Sequence, residues 1–258
     1  MRIFIITREE SFYVPIYLSR LLQEKHNDII GAAIAKIASP HLSILQLYQI
    51  AGFRGFVLQG LELILFKTYN MLNAFIPFKR FYSTRRMMKH YDIPTYNISR
   101  GEVNSQEFVE TIRTLKPDLI LSVANSQILK KQILEIPGKG AINVHGSLLP
   151  KYRGILAAFW VLLNNEKETG VTVHYMAPEI DNGEIIVQQK IGISAKDSIH
   201  SLYRKISTIG ANLILEAVTL IENKKVVTKP NDETKATYFL KPKKHDIQRF
   251  RKQGRSFR

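Results

Sequence analysis

Short apolar runs alternate along this chain with longer segments whose apolar residues recur at helical spacing. A run of five residues at 119–123 is too short for a buried helix and predicts a buried strand, whereas the apolar residues of 13–25 recur every three or four positions. Strands that alternate with helices build a mostly parallel sheet with helices packed against it, so the sequence predicts an α/β fold. The predicted strands are 2–7, 29–34, 119–123, 141–144, 171–176 and 185–193, and the predicted helices are 13–25, 105–115, 155–164 and 198–222.

Length and composition exclude several classes of protein. A chain of 258 residues can bury a sizeable core as one large domain or two small ones. It has no cysteine, which excludes disulfides, thiolate catalysis and cysteine-type zinc sites. The first residues read as a strand rather than a signal peptide, and no run of about eighteen uncharged apolar residues is present. We therefore expect no membrane-spanning helix and a cytoplasmic location.

Residues 42–90 interrupt the alternation and predict a helical insertion. Between positions 53 and 78 the charged residues are Arg54, Glu62 and Lys67. On a helix the polar residues share one narrow face, and they are Gln59, Glu62, Asn70 and Asn73. A basic cluster follows, at Lys79, Arg80, Arg85, Arg86 and Lys89. Two interpretations remain open: an insertion packed on its own domain or on the partner in a homodimer, and an interfacial helix in peripheral contact with an anionic membrane.

The end of the chain is strongly basic. Residues 224–258 carry twelve Lys and Arg residues against three Asp and Glu, within a whole-chain net charge of +15. We therefore divide the chain into a domain at 1–222 and a basic extension at 223–258. The extension is interpreted either as a solvated terminus or as a site for anionic lipid or a phosphorylated substrate, and a nucleic-acid partner is not expected.

Residues that suit acyl-transfer chemistry follow the predicted strand at 141–144. Asn143 and His145 lie at the end of that strand, and Asp181 precedes an Asn-Gly turn about forty residues later. Ligands of parallel α/β sheets bind outside the carboxyl ends of the strands, where these side chains are expected. An amide, an imidazole and a carboxylate brought together can stabilise an oxyanion and move a proton.

Three linked blocks carry a family resemblance: Asn143-x-His-x-Ser-Leu-Leu-Pro-x-Tyr-Arg-Gly154, Glu168-Thr-Gly-Val-Thr-Val-His174 and Asp181-x-Gly183. They resemble the folate-dependent formyltransferases, which include glycinamide ribonucleotide transformylase, methionyl-tRNA formyltransferase and the sugar-amine formyltransferases. The resemblance covers roughly residues 115–222. It implies a Rossmann-like sheet at 1–222 and transfer of a formyl group from 10-formyltetrahydrofolate to an amine, with no metal.

The resemblance also implies roles for individual residues. The catalytic residues would be Asn143, His145 and Asp181. The cofactor-binding residues would be Val123, Ala124, Asn125, Ser126, Ile128, Leu129, Ile142 and Asp181. The substrate-binding residues would be Ser147, Tyr152 and Arg153, and for Arg153 two roles remain open: bidentate binding of an acidic substrate group, or bracing of its own loop. His174 and His200 are interpreted as structural.

Where the sequence differs from the named members of the family, it restricts which acceptor amine is expected. The loop after the first strand, 7–13, contains no glycine and two acids, which disfavours a phosphate-binding nest and purine synthesis. About thirty-five residues follow the last long helix, too few for the extra β-barrel of methionyl-tRNA formyltransferases. We expect a small-molecule amine as acceptor, foremost an amino sugar linked to a nucleotide or a lipid. The alternatives are a methionyl-tRNA formyltransferase-like enzyme without the barrel, and an inactive module that binds folate or another ligand.

Overall fold

The computed structural model describes residues 1–35, 43–72, 80–99, 101–125 and 127–258. Its elements follow the predicted alternation of strands and helices. In chain order they are β1 (Ile3–Arg8), α1 (Val14–Lys25), β2 (Ile29–Ala35), α2 (Ile44–Leu72), α3 (Thr84–His90), β3 (Thr95–Ile98), α4 (Gln106–Leu115), β4 (Leu119–Val123), α5 (Lys131–Leu134), β5 (Ala141–His145), β6 (Arg153–Gly154), α6 (Ala157–Leu163), β7 (Glu168–Tyr175), β8 (Ile185–Gly192), α7 (Ile199–Glu222), β9 (Tyr238–Phe239) and α8 (Lys244–Lys252).

A mostly parallel sheet confirms the predicted α/β class. Its seven strands run in the order β3-β2-β1-β4-β5-β7-β8. The first five strands are parallel to one another, and β7 and β8 add an antiparallel edge. The sheet order reverses between β1 and β4. In sheets of this kind the crevice at such a switch point, outside the carboxyl ends of the strands, is where ligands bind.

Alternating residues of β1 supply the two faces of the core. Ile3 and Ile5 belong to the cluster shared with α1 and α7, while Phe4 and Ile6 belong to the cluster shared with α4, and all four are fully buried. A strand buried on both faces explains why β1 reads as a continuous apolar run rather than as an alternating one. The sheet therefore forms a rigid support for the loops at its carboxyl edge.

Helix α2 is the largest element that lies outside the alternating pattern of strands and helices. It is broken at Gly52, whose φ of 67° is not helical, so residues 53–72 form a separate straight segment. The predicted helical insertion is present in its described part, while Asn73 and Lys79 lie outside the described residues. The prediction of no membrane-spanning helix rested on the lack of a long uncharged apolar run. Among the described residues α2 is long and apolar enough to cross a membrane by length and composition, because its few charges are widely spaced.

The basic extension folds back onto the domain. Strand β9 pairs with β6, and α8 buries Ile247 and Phe250, the latter stacked on Phe159 at 4.8 Å between ring centroids. The cations of α8 and its flanks remain exposed, and they are Lys241, Lys243, Lys244, Arg249, Arg251 and Lys252. The extension is therefore not a freely solvated terminus, although its charge faces water.

Candidate active site

A cavity of about 650 Å³ opens at the switch point of the sheet. Its walls come from the loop after β1, the loop after β4, the end of β5 and the segment 176–181. A volume of this size falls within the range of pockets that hold cofactors and small substrates. Both Asn143 and His145 line this cavity, as does Asp181. The structure thus brings the three predicted catalytic residues together in one pocket.

Asp181 is the centre of the catalytic cluster. Its Oδ2 lies 3.4 Å from His145 Nδ1, and its Oδ1 lies 3.5 Å from Asn143 Nδ2. The side chains of His145 and Asp181 are 8% and 12% exposed, so both are largely shielded from bulk water. Electrostatic interactions are stronger in such surroundings than at the surface. The carboxylate therefore couples an amide donor to an imidazole within a single site.

A backbone contact fixes which nitrogen of His145 can exchange a proton. His145 Nε2 lies 2.7 Å from the carbonyl oxygen of Tyr152. A carbonyl oxygen only accepts hydrogen bonds, so Nε2 carries its hydrogen and donates. Nδ1, which faces Asp181, is then the nitrogen that gains and loses a proton. The turn at 147–154 thus orients the imidazole through its backbone.

The turn that carries Asp181 is held from three sides. Asp181 has a left-handed φ of 50°, and its Oδ2 accepts the backbone N–H of Gly154 at 2.8 Å. Asn231, from the basic extension, donates to the carbonyl oxygens of Asp181 and Gly183 at 2.8 and 3.0 Å. Any Cβ at Gly183 would overlap the Tyr175 carbonyl oxygen, which explains the glycine at this position. The extension at 223–258 therefore supports the catalytic turn directly.

His174 belongs to the site, although the sequence suggested only a structural role. It lies opposite Asn143 in the antiparallel β5–β7 pairing, and its Nε2 is 3.3 Å from Asn143 Nδ2. Its Nδ1 donates to the Tyr175 carbonyl at 2.7 Å, which leaves Nε2 to accept from the amide. His174 thus orients Asn143. This role depends on the register between β5 and β7, which the sequence alone does not reveal.

Within the described ranges, no group of three or more ligating side chains is placed to hold a metal ion.

Burial keeps His174 neutral and makes stability depend on pH. Burial lowers the pKa of His174 from 6.5 to about 4, despite the opposing attraction of Asp181. Between pH 6.5 and about 4 the unfolded chain therefore binds a proton here that the folded protein does not, so the free energy of unfolding falls as the pH falls through this window. We expect His174→Gln, which retains an acceptor for Asn143, to show a shallower decrease than wild type between pH 7 and 5 in urea unfolding. Equal decreases would refute the assignment of a neutral buried imidazole.

The predicted cofactor-binding residues divide into two groups. Ala124, Asn125, Ile128 and Leu129 line the cavity together with Asp181. Val123 and Ile142 do not line it: both are fully buried in their strands, because each side chain points into the core below the loops. Ser126 lies outside the described residues. The loop residues thus lie where the cofactor prediction needs them, whereas the side chains of Val123 and Ile142 do not reach the cavity.

The three predicted substrate-binding residues support the loop instead of lining the cavity. Ser147 Oγ donates to the Lys151 carbonyl at 2.8 Å, and Tyr152 Oη donates to Glu166 at 2.7 Å. Arg153 is completely buried, where its guanidinium binds Glu233, the Tyr238 hydroxyl and both oxygens of Asn231. Of the two roles left open for Arg153, the structure favours bracing, because these partners occupy the fork that an acidic substrate group would need.

A conservative change at Arg153 separates bracing from substrate binding. Lysine keeps the charge but cannot make the forked contacts to Asn231 and Glu233. We expect Arg153→Lys to lower the free energy of unfolding by about 1–3 kcal/mol, the usual value of hydrogen bonds to a charged group. The KM for the acceptor should change little, since the guanidinium does not reach the cavity. A large rise in that KM with unchanged stability would instead identify Arg153 as a substrate ligand.

An internal carboxylate occupies the position where the loop after β1 meets a helix N-terminus. Glu10 accepts the backbone N–H groups of Phe12, Tyr13 and Val14 at 2.9, 2.6 and 2.8 Å. These donors at the start of α1 would otherwise attract a phosphate. This arrangement agrees with the sequence expectation that the loop is not a phosphate nest. Nearby, two residues that line the cavity each have a buried polar atom with no partner among the described residues: Arg8 Nε and Gln59 Oε1.

Comparison with known sequences identifies the family. The family model described as formyl transferase matches residues 75–218, more than half of the chain. The chain belongs to the formyl transferase family. A methionyl-tRNA formyltransferase of Moorella thermoacetica is 38% identical over 149 residues, which is 57% of this chain and 48% of that protein. The chain spans about half the length of the curated relatives that it matches.

Solved formyl transferase structures share the fold. An N-formyltransferase of Helicobacter canadensis, solved with folinic acid and dTDP-3-aminofucose, has a TM-score of 0.60 at 18% identity and covers all of this chain and 81% of its own. A glycinamide ribonucleotide transformylase of Symbiobacterium toebii has a TM-score of 0.61 at 16% identity, covering 90% of this chain and 95% of its own. At these identities the likeness shows the fold alone, so the chemistry must be argued from the pocket.

Proposed function

We propose that this formyl transferase moves a formyl group from 10-formyltetrahydrofolate to a primary amine of a small acceptor. The observation that carries the proposal is the convergence of Asn143, His145 and Asp181 in one largely shielded cavity at the switch point of the sheet. These groups match what formyl transfer to an amine needs, namely a donor for the oxyanion and a route for two protons. Membership of the formyl transferase family supports the same chemistry.

The pocket residues fit a folate on physical grounds. The wall after β4 presents apolar Ile128 and Leu129 beside the polar Asn125, and Met176 and Pro178 add apolar lining from the segment after β7. An aromatic pterin with polar edges suits a slot of this kind, since apolar side chains cover its faces while backbone and amide groups meet its edge. The bound folate supplies an activated formyl group on N10. The residues of the protein must stabilise the oxyanion and move the protons.

The geometry assigns the chain's groups to separate tasks. Asn143 can donate an amide hydrogen to the formyl oxygen as negative charge develops there, exchanging it for the long contact to Asp181. Asp181 can take the proton that the amine loses as the new carbon–nitrogen bond forms. His145 Nδ1 can deliver a proton to folate N10 as the old carbon–nitrogen bond breaks and its electron pair returns to nitrogen. The 3.4 Å contact between the two groups then restores both protonation states, so atoms and charges balance.

An amino sugar suits the acceptor side of the cavity. That side lies between the loop after β1 and helix α2, where Arg8, Glu9 and Gln59 meet the aromatic Phe12 and Tyr13. Arg8 and Gln59 line this side, and each has one buried polar atom without a hydrogen-bond partner, Nε and Oε1, which a rotation of the side chain toward a bound ligand would satisfy. A sugar presents hydroxyls that can satisfy both, while its apolar face can rest on an aromatic ring.

Methionyl-tRNA is the second candidate acceptor, favoured by the sequence relatives. The 38% identity to a methionyl-tRNA formyltransferase covers the half of that protein that matches this chain. The basic extension also provides exposed cations that a phosphate backbone would attract. The acceptor must therefore be decided by experiment.

A parallel turnover assay distinguishes these candidates. The intact protein would be incubated with 10-formyltetrahydrofolate and, separately, with nucleotide-linked amino sugars, amino-sugar lipids or methionyl-tRNA, and the release of tetrahydrofolate would be followed with mass spectrometry of the product. We expect a formamide product from an amino sugar. Formylation of methionyl-tRNA in preference to every amino sugar would overturn the amino-sugar assignment, and folate binding without any turnover would favour the inactive binding module.

A further inference from the structure

Helix α2 shows many of its apolar residues to solvent, while its polar residues Gln59, Glu62 and Asn70 face the protein. In its segment 53–72 nine large apolar side chains are between 38% and 71% exposed, and they are Phe53, Val57, Leu58, Leu61, Leu63, Ile64, Leu65, Met71 and Leu72. Helices on a soluble protein normally show the opposite polarity. We call this group of nine residues the outer face of α2. An exposed apolar group of this size marks an interaction surface.

The inner side of α2 is attached to the domain along its length. Glu62 pairs with Arg258, Phe66 stacks on Tyr82 at 4.0 Å between centroids, and Asn70 donates to the Tyr82 carbonyl at 2.8 Å. Gln59 lines the active-site cavity. The helix therefore lies flat against the domain and would have to detach from all these partners in order to cross a bilayer. A surface partner along the helix is favoured over a transmembrane position.

Cations surround the outer face. Arg54 and Lys67 are exposed on the helix itself, and Arg80 is exposed near its C-terminal end, beside the Tyr82 contact. At the N-terminal end, Gln46 bonds to the Pro242 carbonyl and Gly52 lies against Arg251, which brings the basic extension alongside. The exposed cations of that extension include Lys243, Lys244, Arg251 and Lys252. The one carboxylate of the described helix, on Glu62, is turned inward to Arg258.

We propose that the outer face of α2 docks on an anionic lipid bilayer, with the helix in the plane of the interface. Apolar side chains would enter the boundary between headgroups and acyl chains, and the flanking cations would meet the anionic headgroups. A second copy of the chain fits less well. A two-fold contact through this face would place like cations opposite one another in a protein of net charge +15, whereas an anionic surface neutralises them.

Docking in this orientation would bring the acceptor side of the cavity next to the lipid, since Gln59 belongs both to α2 and to the cavity wall. The acceptor class that follows is an amine carried on a lipid. That consequence rests on the proposed formyl transfer, whereas the docking itself does not. A binding assay without folate or acceptor therefore tests the docking independently of catalysis.

The test is sedimentation of the full chain with vesicles of phosphatidylcholine alone and of phosphatidylcholine mixed with phosphatidylglycerol. We expect the protein to pellet with the anionic vesicles, to pellet less as salt rises, and to stay in solution with the neutral ones. Leu61→Glu and Leu65→Glu should each weaken partitioning by about tenfold or more, since each removes a large apolar side chain from the buried face. Val227→Glu is the matched control, because Val227 is 82% exposed and lies outside α2.

A charge variant tests the contribution of the flanking cations to membrane binding. Lys244→Gln combined with Arg251→Gln should weaken binding to anionic vesicles by about tenfold or more, at roughly 1 kcal/mol per cation. The matched control is Arg113→Gln combined with Lys116→Gln, because both cations are exposed around the end of α4. This control should bind anionic vesicles almost as strongly as wild type. Protein that stays in the supernatant with anionic vesicles at low salt overturns the proposal. If light scattering then shows a dimer that Leu61→Glu dissociates, the occupant of the outer face is a second copy.

Discussion

Replacing Asp181 by asparagine is expected to lower kcat for formyl transfer by about a thousandfold while leaving the fold intact. The change removes the carboxylate that faces His145 Nδ1 at 3.4 Å and the acceptor for the amine proton. Loss of a group that orients and stabilises a catalytic histidine typically costs two to four orders of magnitude, about 10²–10⁴. The measurement is single-turnover kinetics with saturating 10-formyltetrahydrofolate and acceptor.

Asparagine is the suitable substitute because it tests charge rather than structure. It tolerates the left-handed φ of 50° at this position, and its side-chain oxygen can still accept the Gly154 N–H. The melting temperature should therefore stay close to that of wild type. A variant that retains more than about a tenth of wild-type kcat would show that Asp181 is not part of the proton route.

Replacing His145 by alanine is expected to reduce kcat by about a hundredfold to ten-thousandfold, because it removes the imidazole that delivers a proton to folate N10 in the proposed reaction. The double variant with Asp181→Asn should be scarcely slower than the slower single variant. Groups that act as a unit are strongly non-additive, and the 3.4 Å contact makes these two a unit.

His200→Ala serves as the matched control for His145→Ala. His200 lies on α7 and bonds through Nδ1 to the Tyr13 hydroxyl at 2.8 Å, so it contacts the acceptor side of the cavity but not the catalytic cluster. We expect it to affect stability and the KM for the acceptor more than kcat at saturating acceptor. Additive effects of His145→Ala and Asp181→Asn, or an equal loss of kcat in His200→Ala, would contradict the proposed coupling.

The fold could be predicted from the sequence wherever a strand or a helix has a clear hydrophobic pattern of its own. The strongly apolar β1, β4 and β5 and the amphipathic α4 and α7 lie within one or two residues of their predicted bounds. β3 was not predicted, because it has only four residues, Thr95–Ile98, of which two are polar, and its pairing comes from β2 rather than from its own composition. Which side of α2 packs on the domain also depends on contacts with distant residues. The sequence therefore left two interpretations of residues 42–90 open.

The candidate site shows the same division. Asn143, His145 and Asp181 were predictable because each follows or ends a recognisable strand or turn. His174 and Asn231 were not, because their roles depend on strand register and on a contact across fifty residues between Asp181 and the extension. Arg153 looked like a substrate ligand since arginine favours carboxylates, but three partners from the extension occupy its guanidinium. Long-range pairing of this kind leaves no local signal in the sequence.

A crystal structure of the protein with 5-formyltetrahydrofolate would show directly where the folate binds. We expect the pterin against the loop after β4, beside Asn125 and Leu129, with the formyl group within hydrogen-bond reach of Asn143 and His145. The acceptor side of the cavity, beside Arg8 and Gln59, should remain open. Folate bound outside this cavity, or bound with its formyl group turned away from Asn143 and His145, would contradict the assignment of these residues to formyl transfer.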